Sequence, residues 1–196
     1  MARSQSFRLI LASGSQARRE LLERAGYSFE IIPANINEPP GEQFTDPRMM
    51  VQHTAWLKAA AIALRVGNGI VLAADTVGWL NGQAISKPAD EADARRILRL
   101  LGGTEHELWT GVCLWKRPGD VQLAWQEMTR VGFKRLSDAE LDAYLATRQW
   151  QGCSGAYAIL ERDDPYVRVI DGSHSNVVGL PMESLQTYLP FLASSK

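Results

Sequence analysis

Residues 70–75, IVLAAD, form an apolar run of five that ends in a carboxylate. Such a run has no polar side to offer water, so it fits a buried strand of an α/β sheet. Asp75 then becomes the first polar group at the carboxyl end of that strand, where open α/β sheets hold their ligands. A carboxylate in that position needs a partner. A metal or another cation would meet its desolvation cost, and a simple cap or turn aspartate is the plainer alternative.

The rest of the chain alternates around this strand. Residues 7–12 and 27–33 read as strands, separated by a Ser13-Gly14-Ser15 turn and a helix with Leu21, Leu22 and Ala25 on one side that Gly26 closes. The segment 35–41 holds two prolines and a glycine and reads as a loop; it carries Glu38. Thr45 or Asp46 caps a helix with Pro47 at its first position, running to about Arg65. Asn81-Gly82 fits a two-residue hairpin turn, with the returning strand ending at Lys87-Pro88. Asp90 opens a helix with an Ala94, Ile97, Leu98, Leu101 stripe that Gly102-Gly103 stops. Residues 107–117 and 121–134 read as a long antiparallel hairpin. Ser137 to Glu140 has the capping-box form, residues 152–159 are loop or strand, 167–170 is a strand, DGSHSNVVG is a loop, and a last helix starts at Pro181. The six tryptophans fall on expected strands, where they serve either the core or a dimer face.

Bulk properties narrow the class. A chain of 196 residues with 45% hydrophobic and 22% charged residues is globular, and one domain over 1–196 is the expectation. A formal charge of -1 argues against nucleic acid held by overall charge, so any phosphate affinity is local. Cys113 and Cys153 show no metal or disulfide spacing and read as reduced thiols. Neither a signal-peptide core nor a membrane-length apolar span is present in the sequence, which leaves the cytoplasm as the expected compartment.

Several charged side chains stand beside the expected sheet ends. Backbone N–H groups after Ser13 and Ser15 can hold an anion, and Arg18 or Arg19, but not both, can face it, because neighbouring helical positions lie about 100° apart. A Ser-capped helix with solvated arginines is the alternative. Lys58 falls on the Val51, Thr54, Ala55, Ile62 stripe, so its stem points inward; it either snorkels to the edge or reaches an acidic or phosphate group. Lys87 is a second cation on a backbone restricted by Pro88, and taken alone it reads as an exposed loop lysine. The set of Glu38, Asp75, Lys58, Lys87 and Arg18 suits metal-assisted phosphoryl chemistry: two carboxylates for a hard divalent ion and three cations for phosphate.

The motifs LASGSQARRELL, INE, Lys58-Ala59, AADTV, SKP, GGTEHELWTG, SGAYAI and GSHSNVVGLP, in this order across residues 11–181, resemble the Maf family. The resemblance implies an α/β fold with an elongated central mixed sheet flanked by helices, in two lobes around a cleft, similar to inosine-triphosphatase-like enzymes. It implies hydrolysis of a nucleoside triphosphate to monophosphate and pyrophosphate, with water attacking the α-phosphorus and a divalent cation, Mg²⁺ or Mn²⁺, as cofactor. Carried onto this chain, Asp75 is the proton acceptor, Glu38 a metal or water-orienting carboxylate, and Lys58 and Lys87 the phosphate-facing cations. Glu38 and Asp75 are the metal candidates, and Ser13, Ser15 and Arg18 the phosphate grip. Members of the family often pair, so a homodimer is expected.

The chain departs from the family pattern in three places. Gln16 stands for the usual proline, Ala17 for the large residue after it, and Asn37 for a carboxylate before Glu38. The base-discriminating positions correspond to Ala17, Thr76 and Leu160, of which Thr76 alone fits the dTTP- and UTP-preferring branch. Loss of hydrogen-bonding side chains at the other two predicts altered or relaxed base choice. Two rival readings stand beside hydrolysis: a non-catalytic nucleotide-binding module, and an aspartyl phosphotransferase in which Asp75 would be phosphorylated. The second lacks the paired acid two residues on.

Overall fold

The computed structural model describes residues 5–157 and 164–195. Among the described residues the strands are β1 (Leu9–Leu11), β2 (Glu30–Ile31), β3 (Gly69–Leu80), β4 (Gln83–Ile85), β5 (Glu105–Arg117), β6 (Val121–Phe133) and β7 (Val167–Asp171). They form one seven-stranded mixed sheet in the order β2-β1-β3-β5-β6-β7, with β4 paired to β3 off that path. The β1 strand pairs in parallel with β2 and β3, and every later pairing is antiparallel. The helices are α1 (Gln16–Arg24), α2 (Pro47–Ala63), α3 (Glu91–Leu101), α4 (Asp138–Ala146), α5 (His174–Val178) and α6 (Met182–Ser194).

The apolar run does become the central strand, buried from Ile70 through Asp75. Successive side chains on a strand point to opposite faces, so parity sorts the core. Ile70, Leu72 and Ala74 join Leu9, Leu11, Val112 and Leu114 against Leu22 of α1 and Leu185 and Leu189 of α6. Val71 and Ala73 join Ile10, Ala12 and Cys113 against Ala55, Ala59 and Ile62 of α2. A third cluster packs α3 and α4 against the far end of β5 and β6 through Leu98, Leu101, Leu108, Phe133 and Leu141. The same parity sends Asp75 to the α2 side and Thr76 to the α1 side.

The helix punctuation follows local chemistry. Ser15, Asp46, Asp90 and Ser137 each accept a hydrogen bond from a backbone N–H in the first turn of α1, α2, α3 and α4. Of the two candidate caps for α2, Asp46 fills the role, and Ser137 with Glu140 completes a capping box.

Three expectations need correction. Residues 27–33 supply only the two-residue β2, exposed at the edge of the sheet where Pro33 cannot donate. The segment expected as a loop after β7 contains α5, capped by Ser173 and closed by Gly179 at φ 115. Its five residues are too few to show helical periodicity. Trp79, Trp109, Trp115 and Trp125 stand on strands, but Trp56 lies on α2 and Trp150 follows α4. Both cysteines are free, and burial pushes the Cys113 thiol up to about 12. Among the described residues no helix is long and apolar enough to cross a membrane.

Candidate active site

Parity brings the α2 stripe and the end of β3 together. Lys58 donates to Asp75 Oδ1 at 2.7 Å and to Glu38 Oε1 at 2.8 Å. The two carboxylates, from separate segments in the first half of the sequence, therefore converge on one ammonium nitrogen. The side chains of Lys58 and Asp75 are 12% and 10% exposed, whereas that of Glu38, on its proline-bearing loop, is 44% exposed. Burial disfavours the Glu38 carboxylate. The hydrogen bond and charge of Lys58, with the charges of Lys87 and Arg18, outweigh it and hold the carboxyl below its ordinary value, so Glu38 is ionised at neutral pH.

On the other face, Arg18 is buried and turned inward, whereas Arg19 points out to pair with Glu23 at 2.7 Å. The Arg18 guanidinium donates to Gly179 O at 2.7 Å, Thr76 Oγ1 at 3.0 Å and Ser13 Oγ at 3.2 Å. Burial lowers its pKa, and the charges of Asp75 and Glu38 oppose that shift. Its fork is engaged with protein acceptors, so it is first a brace joining α1, β3 and the end of α5. Thr76 Oγ1 also meets Thr110 Oγ1 at 2.9 Å, and Thr110 donates to Asn176 O at 3.0 Å. Ser15 receives the Arg18 N–H as cap of α1, and Ser13 Oγ accepts from the Ser15 N–H at 3.2 Å.

Glu38, Lys58, Asp75, Ser15, Arg18 and Thr76 line a cleft with two compartments that meet at Asp75, Thr76, Lys87 and Ser154, whereas Ser13 is buried and does not line it. One, of about 290 Å³, carries Ser15, Ala17, Arg18 and Lys58. The other, of about 620 Å³, carries Glu38 and the turn after β4. Lys87 is an exposed loop lysine, as its position alone suggests, and it also lines both compartments of the cleft. Ala17 contributes only a methyl group to the first compartment, and Leu160 lies outside the described residues.

The donor set suits a hard divalent ion in one respect. Two carboxylates already share a single cation-sized position, and Mg²⁺ is commonly held by one or two carboxylates together with substrate phosphates. Among the described residues no third His, Cys, Asp or Glu completes an all-protein metal cage.

Sequence reasoning missed the wall made by the loop after α4. Ser154 Oγ donates to Ile85 O at 2.6 Å and accepts from the Gly78 N–H at 3.3 Å, while the Gly155 N–H donates to Ser86 O at 3.3 Å. These bonds fix the backbone immediately before Lys87. Tyr157, also in the cleft wall, meets His106 Nε2 through its hydroxyl at 2.6 Å. Burial holds the His106 imidazole down at about 4 from the ordinary 6.5. The motif letters SGAYAI and GGTEHELWTG contain all four residues, but nothing in their spacing pairs them.

The His106 shift has a sign that can be checked. Between pH 6.5 and about 4 the unfolded chain binds a proton that the native protein refuses, so stability falls as pH is lowered through that window. Full passage through it costs roughly 3 kcal/mol, from about 1.4 kcal/mol per pKa unit. His106→Gln is expected to flatten the urea-midpoint profile between pH 7 and 5 relative to the unmodified protein. Parallel profiles for the two proteins would remove His106 as the cause.

The sequence matches the family model described as Maf-like protein over residues 8–191. It is 40% identical over 181 residues to the dTTP/UTP pyrophosphatase of Pelotomaculum thermopropionicum, covering 92% of this chain and 94% of that protein. It is 44% identical over 178 residues to the dTTP/UTP pyrophosphatase of Sphingopyxis alaskensis, covering 89% and 90% respectively. In fold it is similar to the Staphylococcus aureus Ham1 protein, with TM-score 0.55 and 17% identity over 94% of this chain and 98% of that one. That likeness bears out the mixed α/β architecture, and the sequence matches settle descent: this chain belongs to the Maf-like family.

Proposed function

We propose that the chain is a nucleoside triphosphate pyrophosphatase that hydrolyses pyrimidine triphosphates, dTTP and UTP among them, to monophosphate and pyrophosphate. The observation that carries this reading is the meeting of Asp75, Glu38 and Lys58 at the floor of a cleft that also holds Lys87. The named activity of the relatives supports it.

The chemistry follows from charge. A triphosphate repels an anionic nucleophile, so Lys58 and Lys87 first offset its charge. Asp75 orients a water and accepts its proton as the water oxygen bonds to the α-phosphorus. The bond from that phosphorus to the bridging oxygen breaks, and pyrophosphate leaves with the electron pair. Glu38 and Asp75 would hold a Mg²⁺ or Mn²⁺ ion, which supplies Lewis-acid polarisation of the phosphate oxygens when bound. Ser15 and the backbone at the start of α1 face the phosphates, with Ser13 and Arg18 bracing them from within. The same reading takes residues 1–196 as one domain, acting in the cytoplasm and pairing as a homodimer.

Base choice follows from the cleft wall. Ala17 offers no hydrogen bond to a base, and Thr76 Oγ1 is already engaged by Arg18 and Thr110. Discrimination against other bases is therefore expected to be modest, on the order of tenfold to a hundredfold instead of the 10⁴ that a full set of polar contacts gives. Incubation with a panel of α- and γ-labelled triphosphates tests both parts. The expected result is γ-label in pyrophosphate and α-label in monophosphate, fastest for dTTP or UTP, with measurable purine turnover. Label released as orthophosphate, or binding without turnover, would overturn the activity; strict rejection of purines would overturn the relaxed base choice alone.

A further inference from the structure

We infer that Lys58 is the resident cation of the carboxylate pair in the nucleotide-free protein, so that a divalent metal enters together with the triphosphate and not ahead of it. The inference rests on the triphosphate site proposed above and adds an order of binding to it.

The position between Asp75 Oδ1 and Glu38 Oε1 is where a divalent ion would draw its protein ligands, and the Lys58 ammonium fills it at 2.7 and 2.8 Å. Lys58 arrives there from the core-facing stripe of α2, its side chain 12% exposed, so water screens it little. A divalent ion sharing the carboxylates with that ammonium would stand close to a like charge. Arg18 and Lys87 already add positive charge to the same carboxylate environment, since both act on Glu38. Metal alone therefore meets a pair whose charge is already matched.

A triphosphate changes this balance. Its anionic oxygens give Lys58 a second set of acceptors on the cleft side, and the four-carbon lysine stem lets the ammonium turn without moving α2. Once Lys58 turns to phosphate, the two carboxylates have lost their cation and would be free to hold a divalent ion. Linkage makes the effect reciprocal: the factor by which nucleotide strengthens metal binding is the factor by which metal strengthens nucleotide binding.

Mn²⁺ binding, read by the electron paramagnetic signal of the free ion, tests the order without any turnover. Unmodified protein, Lys58→Met and Lys58→Arg are each titrated with Mn²⁺ alone and with Mn²⁺ plus an α,β-imido analogue of UTP. Lys58→Met should bind Mn²⁺ alone about tenfold or more tighter than the unmodified protein, and the analogue should add less to it, within the usual range of coupling. Lys58→Arg keeps the charge and should bind Mn²⁺ alone as weakly as the unmodified protein, which separates a charge effect from a folding defect. Equal Mn²⁺ affinity of the unmodified and Lys58→Met proteins in the absence of nucleotide would overturn the inference. So would no Mn²⁺ binding by Lys58→Met, or an equal gain from the analogue in both. Calorimetry of the analogue with Mn²⁺ present judges the triphosphate reading separately: its failure to bind any of the three proteins would sink that reading, while the metal-alone comparison still decides the role of Lys58.

Discussion

Asp75→Asn is expected to lower kcat for dTTP and UTP by about 10²–10⁴-fold, the range of a lost general base, with KM changed much less. The substitution keeps the size of the side chain and leaves an oxygen that can still accept from Lys58, so the contact at 2.7 Å has a neutral substitute. It removes the ability to take a proton from water. Circular dichroism and a urea titration would show whether the fold is kept, and single-turnover kinetics would separate binding from chemistry. A variant that turns over within a few-fold of the unmodified protein would take Asp75 out of the chemical step. The effect would then have to be sought at Glu38, the other carboxylate on Lys58.

Gly111→Ala is expected to destabilise the protein by about 3 kcal/mol or more, at or beyond the upper range of overpacking substitutions. Gly111 lies opposite Asp75 in the β3–β5 register and faces α2. A Cβ there would stand 2.5 Å from both the carbonyl carbon and the oxygen of Val51 and 2.8 Å from the Gln52 nitrogen. Those are backbone atoms of a helix and cannot turn aside as the tip of a side chain can, so α2 must move off the sheet or the strand must buckle. Either response pulls Lys58, further along the same helix, away from Asp75, so activity should fall together with stability. Gly67→Ala is the matched control, because a Cβ there meets nothing within 4 Å. Urea unfolding of the two variants decides the matter: equal midpoints would mean that α2 does not approach β5 so closely.

The elements that position the site were legible wherever a period or a cap was long enough to read. The apolar run of β3, the capping residues of α2, α3 and α4, and the inward stripe of α2 all describe local preferences, and the chain obeys them. Strand parity and helix stripe give Lys58 and Asp75 each a face, and only the packing of α2 on the sheet shows that the two faces meet. What the sequence did not disclose depends on tertiary approach. Glu38 sits on an irregular loop whose path no period describes, so its arrival at Lys58 followed from resemblance and not from pattern. Arg18 was expected to grip phosphate, yet its guanidinium reaches a carbonyl 161 positions away, a partner no local rule could supply. The pairing of His106 with Tyr157 and the stapling of Ser154 to Ile85 are of the same kind.

The bond from Arg18 to the Gly179 carbonyl has a consequence for how the protein comes into being. During synthesis the first helix leaves the ribosome long before residue 179 has been joined to the chain, and until then the arginine lacks one of the three oxygens that hold it. The β1, α1, β2 and β3 segments precede by many residues the wall of the cleft that α5 supplies. A nascent chain halted before that point would carry the carboxylates and lysines without the wall that α5 adds to the cleft.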